Sequence, residues 1–97
     1  MEEKKFSIVF SHSARREIEE LEIQDALKLA REIKTYLEGS PFPFWKMGIK
    51  KLTGFHPPLY RLRSGDYRAY YRIISRKIVI LAITHKKDSE KHLRNLR

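Results

Sequence analysis

The stretch Tyr60-Arg61-Leu62-Arg63-Ser64-Gly65-Asp66-Tyr67-Arg68 constrains the fold most, because two alternating runs meet there at a glycine-containing turn. Such a pattern predicts an antiparallel hairpin. Successive side chains of a strand point to opposite faces, so Arg61 and Arg63 share one face and Tyr60 and Leu62 the other. The next run repeats the pattern, with Arg68, Tyr70 and Arg72 on one face and Tyr67, Ala69, Tyr71 and Ile73 on the less polar one. Two adjacent strands thus bring five cationic or phenolic groups within reach of a single ligand.

The rest of the chain reads as partners for that hairpin. Phe6, Ile8 and Phe10 alternate with Ser7 and Val9 and predict a first strand over residues 5–10. Ser11 or Ser13 caps a first helix, and Glu17 stands where a helix N-terminus favours negative charge. Ala14, Ile18 and Leu21 mark one face of that helix. A break at Ile23-Gln24-Asp25 leads to a second helix, with Asp25 as its expected cap, Ala26, Ala30, Ile33 and Leu37 as its buried stripe and Gly39 as its stop. Ser40-Pro41-Phe42-Pro43-Phe44-Trp45 cannot continue a helix. Its three aromatics are expected to plug the edge of the core, the competing role being base stacking.

Strands are then expected over residues 59–64, 67–75 and 77–84, the last two joined near Arg76. In the last strand Ile78, Ile80 and Ala82 oppose Val79, Leu81 and Ile83; being apolar on both faces, it belongs inside the sheet. Leu93 and Leu96 anchor a short terminal helix or tail. The expected fold class is α+β: an N-terminal strand and a two-helix hairpin packed on a small, mainly antiparallel sheet, all within one domain over residues 1–97.

The net charge of +9 is unevenly distributed. Residues 1–38 hold seven Lys/Arg against nine Asp/Glu, and residues 39–97 hold fourteen against three. A localised positive field attracts polyanions, which makes nucleic acid the first partner class and an acidic protein the second. No apolar run approaches the roughly 20 residues of a membrane span, and the N-terminus lacks the apolar stretch of a signal peptide, so a cytoplasmic location without membrane contact is expected. With no cysteine and no HxH or HExxH spacing among four histidines, no metal site is expected. Without a phosphate-binding glycine loop, no cofactor is expected either.

Strand, helical hairpin, Lys50-Lys51-Leu52-Thr53-Gly54, the run from Tyr60 to Tyr71, a hydrophobic strand and His85-Lys86-Lys87-Asp88 together resemble the RelE/ParE superfamily of toxins from toxin–antitoxin systems. The likeness runs over nearly the whole chain. It implies one of two activities. RelE-type members are metal-independent endoribonucleases that cleave mRNA in the ribosomal A site, meeting rRNA as well. ParE-type members inhibit DNA gyrase without nuclease activity. Both are held inactive by a cognate antitoxin, expected here to be a short acidic protein with an amphipathic helix. A third reading is an inactive remnant that binds only its antitoxin.

Metal-free RNA cleavage needs a proton acceptor for the 2′-hydroxyl, cations for the pentavalent transition state and a proton donor for the departing 5′-oxygen. The resemblance implies Arg68 as the main phosphate clamp, with Arg61 and Arg63 positioning the backbone and Lys50, Lys51 and Arg72 adding RNA contacts. Lys86 or Lys87 would assist the leaving group. The family's C-terminal tyrosine has no counterpart after Tyr71; His92 occupies roughly its place and can exchange a proton near neutral pH, with His85 as a second candidate. Tyr70 either stacks a base or covers the arginine stems. The competing structural role for the arginines is a solvated sheet face, with Asp66 and Arg68 paired across the turn.

Overall fold

The computed structural model describes residues 6–89 and 93–94. Its elements are β1 (Ser7–Phe10), α1 (His12–Glu19), α2 (Ile23–Leu37), a 3-10 turn (Trp45–Met47), β2 (Ile49–Leu52), β3 (Leu59–Ser64), β4 (Tyr67–Ile74), β5 (Lys77–His85) and a second 3-10 turn (Lys86–Asp88). The five strands form one sheet in the order β1-β5-β4-β3-β2. Only β1 runs parallel to its neighbour; the other pairs are antiparallel. The expected α+β architecture is therefore present, and β5, apolar on both faces, lies inside the sheet.

Both helices cover one sheet face. Ser11 is the cap of α1: its Oγ accepts the Ala14 amide at 3.0 Å and donates to the Leu81 carbonyl at 3.2 Å, stitching the helix start to β5. Glu17 does more than meet the helix dipole, since its carboxylate accepts the Ile83 amide at 2.8 Å beyond the end of β1. The second helix begins earlier than its sequence suggests, with Glu22 as cap and Asp25 inside the first turn. Its buried stripe is Leu29, Ile33 and Leu37, at spacings of four, while Ala30 is exposed. These three pack with Ala14 against Ile49, Leu62, Ala69, Tyr71, Ile78, Ile80 and Ile83.

Three further features depart from the sequence reading. The strand β2 was not foreseen: Ile49-Lys50-Lys51-Leu52 is short and does not alternate, and it is extended because it pairs with β3. The loop aromatics do not plug the core. Phe42, Phe44 and Trp45 are 48%, 46% and 80% exposed, and it is Pro41 that is buried, its carbonyl accepting the Tyr71 hydroxyl at 2.6 Å. The third departure is a bulge in β5. Tyr70 pairs with Ala82 and Tyr71 with Ile80, which leaves Leu81 unpaired and shifts the phase of the strand. Ala82 and Thr84 consequently share the face of Tyr70 and Arg68, while Ile83 and His85 turn to the helix side.

Burial raises the ionisation of Tyr71 well above the ordinary tyrosine value of about 10. Above that value the unfolded chain releases the phenolic proton while the folded chain keeps it, so stability falls as pH rises toward the folded value. In urea unfolding between about pH 9 and pH 11, Tyr71→Phe should lose stability less steeply than the parent. Equal slopes would refute this.

Candidate nucleic-acid interface

The turn at Gly65 and Asp66 fixes the register of β3 against β4. Arg63 pairs with Arg68 and Arg61 with Tyr70, and on the other side Lys50 of β2 pairs with Arg61. Lys50, Arg61, Arg63 and Arg68 therefore share the face opposite the helices. Lys51 pairs with Tyr60 and points to the helix side, so only one of the two expected lysines joins the group. Arg72 is on the arginine face but four residues from Arg68, about 13 Å along the strand.

The electrostatics of this group are unfavourable without a ligand. Directly opposed like charges destabilise a strand pair, and Arg63 faces Arg68 with no salt bridge to either among the described residues. Partial burial, followed by repulsion from Arg63 and Arg68, makes the Arg61 guanidinium easier to deprotonate than usual. Arg68 shifts the same way, by burial and then by Arg63. The Nε atoms of Arg61 and Arg72 are buried without a hydrogen-bond partner among the described residues. A phosphate held between the guanidinium groups would relieve the repulsion.

Arg68 is nevertheless well placed. Its Nη1 donates to the carbonyls of Gly65 and Tyr67, each at 3.0 Å, so its own turn holds the guanidinium. Asp66 does not pair with it. The Asp66 carboxylate lies 3.3 Å from Lys86 Nζ instead, and its carbonyl accepts the Lys86 amide at 2.7 Å. This pins the segment after β5 beside the hairpin turn. Lys87 is exposed, with no side-chain partner among the described residues.

Two candidates change role. Tyr70 is 1% exposed and packs with Phe55, Leu59 and Ala82, with Leu52, Leu81 and Leu93 around them. As placed, it floors a second apolar cluster and presents no ring for a base. His85 pairs with Tyr67 on the helix side, its ring edge-on to that tyrosine at 5.5 Å, and its Nδ1 accepts the Lys87 amide. It does not converge with the arginines. His92 lies outside the described residues.

Two supporting residues were missed. Thr84, opposite Arg68 and 4% exposed, is hydrogen-bonded to Ser89 at 3.1 Å and ties the chain after β5 to the arginine face. Gly48 has φ of +71°, and its carbonyl accepts the Arg63 amide at 2.9 Å. An added Cβ there would lie 3.0 Å from Arg63 Cβ and 3.2 Å from Arg63 O. Its place between Met47 and Ile49 was the signal available. Gly48→Ala should cost about 2 kcal/mol or more in chemical denaturation, from left-handed strain and crowding combined. Gly39→Ala, with nothing within 4 Å, is the control expected to be near neutral.

A scan of protein-family models finds no match, and no curated protein matches. Solved structures do. An archaeal RelE–RelB complex from Pyrococcus horikoshii matches with a TM-score of 0.69 and 26% identity, over 84% of this chain and 96% of that one. The RelBE2 toxin–antitoxin complex of Mycobacterium tuberculosis matches with a TM-score of 0.72 and 24% identity, over 84% and 98%. The isolated E. coli RelE toxin matches with a TM-score of 0.68 and 22% identity, over 94% and 99%.

Proposed function

We propose that this chain, similar in fold to RelE toxins, is the toxin of a toxin–antitoxin pair, a metal-independent endoribonuclease that cleaves mRNA in the ribosomal A site. The observation that carries the reading is Arg61, Arg63 and Arg68 gathered on the sheet face away from the helices, with no carboxylate paired to them among the described residues. Fixed guanidinium groups stabilise charge as it develops on a phosphoryl group. In the proposed reaction the 2′-oxygen attacks the adjacent phosphorus, the bond from phosphorus to the 5′-oxygen breaks, and the products are a 2′,3′-cyclic phosphate and a 5′-hydroxyl.

Arg68 clamps the non-bridging oxygens, and Arg61 and Arg63 bind the flanking backbone. Of the two lysines, Lys87 is assigned to give a proton to the departing oxygen, because the Lys86 side chain is engaged by Asp66. Acceptance of the 2′-hydroxyl proton is assigned to His92. The silencing partner is a cognate antitoxin, acidic enough to meet the basic half of the chain. RelB bound to the toxin in the Pyrococcus and Mycobacterium complexes supports that assignment.

Induced expression in a bacterial host tests the reading. Amino-acid incorporation should stop within minutes while plasmid supercoiling stays normal. Loss of supercoiling with intact mRNA would instead indicate a ParE-like gyrase inhibitor. Neither effect, with antitoxin still bound, would indicate an inactive remnant.

A further inference from the structure

Trp45 is the sole tryptophan and is 80% exposed, the most exposed large apolar side chain described. Water contact of that extent contributes almost nothing to the core. Yet the backbone that carries it is firmly held. Phe44 and Ile49 exchange backbone hydrogen bonds at 3.2 and 3.3 Å, the Met47 amide bonds the Phe44 carbonyl at 2.9 Å, and the Gly48 amide bonds the Trp45 carbonyl at 3.0 Å. Gly48 in turn accepts the Arg63 amide, so the loop is hydrogen-bonded directly to the arginine strand. Lys46 Nζ sits over the indole, 5.6 Å from its centroid, and most of the side chain is open to solvent. Trp45, Lys46, Gly48 and Arg63 line a single surface depression with Glu32 and Tyr36. Glu32 is itself engaged by the Ser64 hydroxyl.

We propose that Trp45 is a stacking platform for a nucleobase of the same RNA strand whose phosphate the arginine face holds. The proposal rests on the reading of that face as an RNA site. Every base offers a π-face, so a rigid exposed indole beside two cations suits single-stranded RNA without demanding a sequence. It would fix the strand on the Arg63 side of the scissile phosphate. A protein partner would also find an exposed tryptophan attractive, but the cations beside it favour the polyanion.

Because Trp45 is the only tryptophan, its fluorescence reports the platform directly. The probe is a single-stranded oligonucleotide of about ten residues, 2′-O-methylated so that it cannot be cut and carrying a terminal dye for anisotropy. An abasic oligomer of equal length is the comparison. Binding should quench Trp45 with the base-bearing probe and not with the abasic one. Trp45→Ala should weaken binding about tenfold, Trp45→Phe should restore most of it, and the melting temperature should hardly move.

Binding by anisotropy with no quenching, and equal affinity in Trp45→Ala, would overturn the platform, leave the arginine face intact and make the indole a protein contact. No binding by any probe would overturn the platform, whereas the RNA reading itself falls only if translated mRNA stays intact in the presence of the protein.

Discussion

Arg68→Ala is expected to slow mRNA cleavage by about 10² to 10³-fold, the usual consequence of removing one preorganised donor from a developing anion. The guanidinium is held by two carbonyls of its own turn and stands directly opposite Arg63. Arg68→Lys should restore little, since an ammonium cannot give two parallel hydrogen bonds to phosphoryl oxygens. Folding stability should change by no more than about 0.5 kcal/mol, because losing two turn bonds, one exposed and one part-buried, is offset by removing a like-charge pair. Cleavage rates on a translated reporter, with a denaturation curve for each variant, check both halves. Full activity in Arg68→Ala would remove the clamp from the mechanism.

Tyr70→Ala should destabilise the fold by about 3–5 kcal/mol, a cost typical of truncating a buried aromatic. Tyr70 joins Phe55 of the loop before β3, Leu59 of β3, Ala82 of β5 and Leu93 into one cluster, so its loss loosens the packing that lies beside the arginines on the same sheet face. Tyr70→Leu separates packing from recognition: it keeps an apolar filler and removes any ring. RNA affinity in Tyr70→Leu should stay within about twofold of the parent, a change of roughly 0.4 kcal/mol, while stability falls by less than in the alanine variant. A large affinity loss in a folded Tyr70→Leu protein would return the ring to the RNA site.

The arginine face was legible because strand alternation and a glycine turn together fix register, and both are written locally between Tyr60 and Arg72. What lies over that face was not. Alternation says that Tyr70 shares a side with Arg68, but its burial depends on Phe55 and Leu93, which arrive from distant parts of the chain. The bulge in β5 was equally hidden. An unbroken alternation would put His85 on the arginine side, and one unpaired residue, Leu81, moves it to the other. The aromatic loop misled for a related reason: Pro41 and the Tyr71 hydroxyl close the core edge that the three rings were expected to fill. Lys50 and Lys51 were separated only by β2, whose four residues carry too little pattern to announce a strand.

Primer extension on a reporter mRNA in a translation extract, with the 5′ ends tested for a free hydroxyl, bears most directly on the central claim. Discrete new 5′-hydroxyl ends within codons, present with the parent protein and lost with Arg68→Ala, are the predicted result. Intact mRNA in a translating extract would contradict the nuclease, and cuts that persist in Arg68→Ala would contradict the arginine face as its centre.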